Sequence, residues 1–458
     1  MPPHPPFPTR PGAAVTALIW LGLGAVCVAP VALPKLVAGH GMQLVIAGLT
    51  LFIGGIVASF SRRYLRADRR ARGFFVRLGA LVVAVLAMTL ADSLLLLGAA
   101  WGLSGWLLAA LIGHNADWAE ARAAAHRARL SFALGDAALL AALAIVGTHA
   151  GSDRVGVALG AVGTLAPALA TCAALLLLLA AAVRAALPPF SGWLLASMTA
   201  PTPVSALMHA GLVNAGGFLL IRFGALLAQA PAARAVAVAL GLVAALHGVG
   251  VMMVRPDVKR TLAGSTVSQM GFMVLSCGLG LPGAALWHLV GHGLFKAWLF
   301  LGSGSAVGMK PAGTATVLAG RGVLGVAGAT LGVALVLRQL GGLDPAALPL
   351  LLAGATGLAS LPALLGGTIP GRVRLALLVG AALLAGLHAA GLGLAGQVTD
   401  SPAPAPLPDW ATLALLAGFL GAWAWQQHRL STGRGLPLPL YVHLVNAGAL
   451  ASPATGDR

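Results

Sequence analysis

Apolar runs long enough to cross a bilayer recur along almost the whole chain, separated by short polar breaks. This pattern leaves few folds open. About 20 apolar residues span the hydrocarbon as a helix. Fourteen runs qualify, at 12–33, 42–60, 74–91, 93–112, 131–149, 155–183, 202–221, 234–254, 262–280, 284–303, 322–340, 346–367, 375–396 and 409–427. Only 9% of the 458 residues are charged, against about 25% in a soluble domain. The expected fold is all-α: a polytopic membrane protein of about fourteen transmembrane helices, forming a single transmembrane domain over residues 1–458. The runs that meet at Asp92 and the long run at 155–187 have the least definite limits. The longest polar stretches are a loop near 113–130 and a short cytoplasmic tail at 428–458, and SPAPAPLP at 401–408 reads as an extended linker. The first run leads straight into further spans and lacks a small-residue cleavage site, so it is expected to remain as a helix rather than act as a signal peptide.

The net charge of +17 would point a soluble protein toward nucleic acid. Here it reads as topology instead. With the N-terminus inside, 22 of the 28 basic residues fall in inner loops, five (Lys35, Arg154, Arg222, Arg234 and Arg338) fall outside, and Lys296 lies within a span. The positive-inside rule therefore predicts both termini on the cytoplasmic side; the expected location is a bacterial inner (cytoplasmic) membrane. The arginine-rich loop from Arg62 to Arg77 is suited to anionic lipid, and no nucleic-acid partner is expected. Cys27, Cys172 and Cys277 all lie in apolar stretches and are expected to be small buried residues.

Charged groups at membrane depth are costly and so mark function. The run HLVGHGLFKAWLF sets His288, His292 and Lys296 four residues apart, on one face of a helix. Loss of hydration disfavours the charged form of such groups, which suits stepwise proton transfer. Cross-helix hydrogen bonding that only stabilises packing is the plainer reading of each histidine. Zinc is a third, but no acid or cysteine adjoins the pair, so no metal or other cofactor is expected in this chain. In APTPVSALMHAG, Pro201 and Pro203 lead into an apolar segment and are expected to mark a broken helix, with His209 two turns on. Broken helices expose backbone groups that can line an ion path. Arg184 closes a long apolar run, where it can snorkel to the membrane face. Asp136 can pair with Arg129 or begin a helix, and His247 within a span is a weaker candidate. Ser265 and Thr266 make the start of the 262–280 span polar. No nucleotide-binding loop, nucleophile triad or redox ligand set is present, so the chain is not expected to be an enzyme.

Three stretches, APTPVSALMHAGLVNAGGFLLIR, DVKRTLAGSTVSQMGFM and HLVGHGLFKAWLFL, resemble the antiporter-like subunits of respiratory NADH:quinone oxidoreductase and of multisubunit cation/proton antiporters. The resemblance covers about 90–305, an antiporter-like core. It implies two inverted five-helix repeats with a broken helix in each, and a proton path of buried lysines, histidines and a glutamate. It maps the family's broken-helix histidine onto His209 and its histidine–lysine ladder onto His288, His292 and Lys296. The family's buried lysine falls on Arg184, the aspartate of its RxGD motif on Asp136 with the motif's arginine lost, and its membrane glutamate on Gly102. The second-half lysine motif has no counterpart after residue 305.

With those losses, and with AHRARLSFALGD and LYVHLVNAG, the chain is most similar to the membrane subunit of the DAB-type inorganic-carbon accumulation complex. That resemblance implies a cation flux, of protons or sodium ions, that energises CO2 or bicarbonate uptake by a cytoplasmic zinc-containing, carbonic-anhydrase-like DabA-type partner subunit. A proton-pumping subunit of a redox complex or a multisubunit Na+/H+ antiporter is the alternative. A non-conducting membrane scaffold is a third.

Overall fold

The structure, a computed structural model, describes residues 10–306, 320–340, 347–365, 370–399 and 409–449. The 401–408 linker and Lys310 lie outside the described residues.

The first group of helices is α1 (Arg10–Ala32), α2 (Pro34–Val37), α3 (Gly41–Tyr64), α4 (Ala71–Leu90), α5 (Leu94–Ile112) and α6 (Ala119–Ala150). Then come α7 (Val155–Ala161), α8 (Pro167–Arg184), α9 (Gly192–Ala196), α10 (Thr202–Ala210), α11 (Ala215–Arg222) and α12 (Gly224–Ala228). The central pair α13 (Pro231–Val254) and α14 (Val258–Gly278) is followed by α15 (Pro282–Gly302). The later helices are α16 (Gly320–Gln339), α17 (Ala347–Leu365), α18 (Gly371–Gln397), α19 (Asp409–Ser431) and α20 (Leu438–Asn446). Among the described residues there is no strand beyond a single bridge, Ser93 to Arg154.

Ten segments among the described residues are long and apolar enough to cross a membrane. The helices at α14, α15, α17 and α19 fall outside that measure. Long helices run in alternating directions, so their loops gather on two faces. On one, Arg70 binds Asp117 at 2.8 Å and His114 binds Asp68 at 2.8 Å, joining the loops after α3 and α5. On the other, Arg154 binds Asp92 at 2.8 Å, and Arg222 donates to the carbonyls of Thr89 and Ala91. The first is termed the arginine face below.

Helix starts follow from local chemistry. Asp257 caps α14 by accepting from the Arg260 N–H at 2.8 Å, and Ser93 caps α5 by accepting from the Leu96 N–H at 3.0 Å. Prolines open α8, α10, α13 and α15, where no helical N–H partner is lost.

Several expectations are corrected. The run at 155–183 is not one span: Leu165 and Ala166 take extended conformations, and Pro167 then starts α8. The expected loop near 113–130 is only 113–118, because the alanine-rich, basic stretch from Ala119 favours helix and lengthens α6 to 32 residues. Cys27 and Cys172 are exposed while Cys277 is buried. In a bilayer an apolar stretch does not imply a protein-covered one, because lipid accepts apolar side chains equally well. Pro201 and Pro203 do not break a helix; they begin α10, as N-cap and first-turn residues. The interruption lies further on, at Gly211 (φ −123°, ψ −63°), followed by a tight turn at Leu212–Asn214.

The α13–α14 pair carries the closest packing. Gly241 and Gly248 face Gly271 and Gly264, and an added Cβ on any of these four would come within 3.1 Å of the opposite backbone. Without a hydrophobic drive between helices in lipid, close van der Waals approach of this kind is what holds them. The seam fixes α14, and with it Leu262, Ser265 and Thr266.

Candidate functional site

The break at Gly211 frees carbonyls inside the protein. Gly211 N–H still bonds to Leu207 at 2.9 Å, but α10 ends there, and the carbonyls of His209 and Ala210 need other donors. Asn214 Nδ2 donates to Ala210 O at 2.8 Å and approaches Leu289 O at 3.4 Å. His292 Nε2–H donates to His209 O at 3.2 Å. Gly293 permits this approach, since a Cβ there would lie 2.7 Å from Ala210 O. The broken helix and the ladder helix α15 are thus joined through the ends left open by the break.

The ladder lies on one face of α15, as its spacing predicts. The rings of His288 and His292 stack with centroids 5.9 Å apart. Lys296 is 1% exposed; its ammonium donates to Leu262 O at 2.9 Å and to the Ser265 hydroxyl on α14. Thr266 Oγ1 donates to the same Leu262 carbonyl at 3.0 Å. With that proton committed, His209 Nδ1–H is the donor to Thr266, also at 3.0 Å. The His209 ring is fully buried and stacks on Phe300 at 4.2 Å. Its Nε2 has no hydrogen-bond partner among the described residues. Among the described residues, no carboxylate forms an ion pair with Lys296. Its charge is met by a carbonyl and a hydroxyl only, groups that serve either protonation state.

A second centre lies in the first half. Arg184 is 1% exposed and does not reach the membrane face. Its guanidinium donates to Asp136 Oδ1 at 3.2 Å, to the Trp101 carbonyl at 3.0 Å and to Ser104 Oγ at 3.1 Å. It is sandwiched between the rings of Trp101 at 4.4 Å and Phe132 at 4.9 Å. Asp136 thus pairs with Arg184, not Arg129, and sits inside α6 rather than at a helix start. Gly102 and Gly105 leave the room this needs. A Cβ at Gly102 would lie 3.8 Å from Asp136 Oδ2, and one at Gly105 would lie 3.0 Å from the guanidinium. The position to which the resemblance assigns a glutamate therefore adjoins the carboxylate that Arg184 uses.

His247 stands apart from both centres, with its ring 5.9 Å from that of His443 on α20. Sequence reasoning missed Asn214, Leu262 O and Phe300, which carry no charge signal. It also missed the seven-residue glycine spacing 241, 248 and 264, 271, 278, which is legible once sought.

Residues 91–357 match the family model for the NADH:quinone oxidoreductase/Mrp antiporter transmembrane domain, more than half of the chain. The chain belongs to that family. Among curated proteins, this antiporter-family chain is 38% identical over 273 residues to a probable inorganic carbon transporter subunit DabB1 of Halothiobacillus neapolitanus, covering 58% of this chain and 48% of the relative. It is 40% identical over 268 residues to a probable inorganic carbon transporter subunit DabB of Bacillus subtilis, covering 58% and 53%. It is 37% identical over 261 residues to NADH-quinone oxidoreductase subunit L of Mycobacterium tuberculosis, covering 56% and 41%. The chain therefore spans about half the length of the curated relatives it matches. In fold it is similar to a chain of the Mrp complex from a Dietzia species, with TM-score 0.64 and 24% identity, covering 92% of this chain and 53% of that one. The fold is that of an antiporter-like membrane subunit.

Proposed function

We propose that this chain is the cation-conducting membrane subunit of an inorganic-carbon uptake complex, and that the ion is the proton. In this reading it energises a cytoplasmic zinc-containing, carbonic-anhydrase-like partner, which delivers CO2 or bicarbonate. The 38–40% identity to the two inorganic carbon transporter subunits supports the carbon role. The observation that carries the conducting role is the joining of His288, His292, His209 and Lys296 through the freed carbonyl, Thr266 and the Leu262 carbonyl that Thr266 and Lys296 share.

In the mechanism, Lys296 exchanges a proton with water beside Ser265. The carbonyl of Leu262 holds the ammonium, and the Ser265 hydroxyl accepts from the ammonium or donates to the neutral amine. His209 Nε2 is the free acceptor of the buried ring, since Nδ1 is fixed by Thr266. His292 is held by the His209 carbonyl as the Nε2–H tautomer, which makes Nδ1 the acceptor, and its ring stacks on that of the next rung, His288. The side chains of this row can therefore take and release protons in sequence, with water bridging the gaps. Arg184 carries no part of this transfer, because an arginine keeps its proton. The arginine face is cytoplasmic in this reading, with both termini on that side.

The test is growth in air of a strain that requires high CO2, carrying the full chain with its neighbouring subunits. His292→Ala and Lys296→Ala are expected to abolish rescue while the proteins still insert. Full rescue by both variants would sink the conducting role. Purification without any large zinc-bearing protein would sink the carbon role.

A further inference from the structure

After α19 the chain crosses the arginine face as the short helix α20. Leu444 is its one buried side chain, clustered with Leu195 of α9, Val251 of α13 and Ala263 of α14. Gly250 makes the seat, since a Cβ there would come within 2.9 Å of Leu444. Gly448 (φ +80°) then closes on Leu195 and leaves no room for a Cβ. Three arginines fasten the backbone on either side. Arg429 donates to Gly435 O before the helix. Arg255 donates to Val445 O at 2.5 Å and Ala447 O at 2.7 Å, and Arg127 of α6 donates to Ala449 O at 2.7 Å. These contacts lie in the last turns of α13 and the opening turns of α14 and α6. The segment therefore crosses helix ends and does not run along a helix side.

Its outward side is apolar. Leu438 (73% exposed) and Val442 (46%), one turn apart, are turned away from Leu444, with Tyr441 (45%) beside them. The setting is basic. No carboxylate occurs between Trp410 and Ala449, Arg429 and Arg434 precede the helix, and Arg127 and Arg255 hold its far end. Asp257, two residues from Arg255, is already taken by Arg260 and the start of α14. A fixed apolar patch turned to water gains from being covered. Fixing its backbone beforehand lowers the ordering cost for whatever covers it. Anionic lipid suits the charge, but hydrocarbon bathes the sides of membrane helices, and α20 lies over their ends.

We propose that α20 is the docking element for a cytoplasmic protein subunit, one that offers an apolar pocket to Leu438, Tyr441 and Val442 and a rim of carboxylates to the surrounding arginines. The inference rests on the reading of this chain as the membrane part of a complex whose partner lies at the arginine face, and it names the surface that the partner meets. An apolar centre within a charged rim is the usual anatomy of such an interface, and the rim charge steers the partner and sets its orientation.

The experiment co-expresses the full chain with its tagged neighbouring cytoplasmic subunit and measures how much of that subunit stays with the chain through purification. Leu438→Asp combined with Val442→Asp is expected to lower retention at least tenfold at an unchanged level of the chain in the membrane, since neither side chain is buried. Raising the salt to 1 M is expected to lower retention of the unaltered pair at least threefold, because exposed charges are then screened. Tyr441→p-benzoylphenylalanine reads the contact directly and leaves the fold untouched. On illumination it is expected to form an adduct with the tagged subunit. An adduct with lipid alone would overturn the proposal and make α20 a membrane-lying helix. Full retention in the aspartate pair, where the unaltered chain also retains the subunit, would overturn the docking surface and leave the complex standing. Failure of the unaltered chain to retain the subunit would defeat the complex itself, and the docking surface with it.

Discussion

Two of the buried cations among the described residues, Arg184 and Lys296, are held in opposite ways. Arg184 has a carboxylate, a backbone carbonyl, a hydroxyl and two aromatic faces around one guanidinium. Lys296 has a carbonyl and a hydroxyl. The first setting makes a fixed charge stable in a poor solvent for charge. The second leaves the proton free to depart without stranding a buried anion. The contrast shows that burial by itself does not make a titrating site: the partners decide whether the charge is locked or exchangeable.

This comparison can be broken at either end. The largest effect is expected from Arg184→Ala, which leaves the half-buried carboxylate of Asp136 without its cation. Loss of such a partner costs about 3–5 kcal/mol, readable as a large fall in thermal stability in detergent. Lys296→Ala leaves no stranded ion, and because Thr266 still donates to the Leu262 carbonyl its stability cost is expected to be about 1–3 kcal/mol from the Ser265 hydroxyl left without its partner, while proton flux is lost. A stability cost for Lys296→Ala equal to that of Arg184→Ala would erase the distinction.

Exchange of the two cations sharpens it. Lys296→Arg is expected to lower flux by roughly 30-fold or more, because an arginine does not release its proton. Arg184→Lys is expected to change flux by less than about threefold, and to cost about 1–2 kcal/mol of stability through the lost fork of donors. Equal flux losses from both would mean that the first centre also conducts. The two glycines beside the guanidinium test its seat, and Gly102 carries the smallest effect. Gly105→Ala pushes a methyl against the guanidinium and is expected to cost about 1–3 kcal/mol. Gly102→Ala meets only ordinary contact and is expected to stay within about 0.5 kcal/mol. Thermal unfolding of the pair checks both, and the reverse order would mean that Arg184 does not sit as described.

The ladder was legible because a helix converts a spacing of four into a shared face, whatever surrounds it. Helix positions were legible because bilayer thickness fixes the length of an apolar run. Limits failed where a second local force competed, as at Leu165–Pro167, and where a polar stretch could still be helical, as from Ala119. Pro201 and Pro203 misplaced the break because a proline in a first turn and a proline that interrupts a helix look alike in sequence.

The sequence by itself determined that the chain lives in a bilayer and that three ionisable groups share one helix face. Only the tertiary structure decided that Asp136 meets Arg184, that His209 offers its carbonyl to His292, and that Leu262 holds Lys296. Those contacts join residues 34 to 83 positions apart. They depend on glycine seams that let helices approach and on carbonyls that a broken helix leaves unpaired. Packing between distant segments, rather than local spacing, sets both.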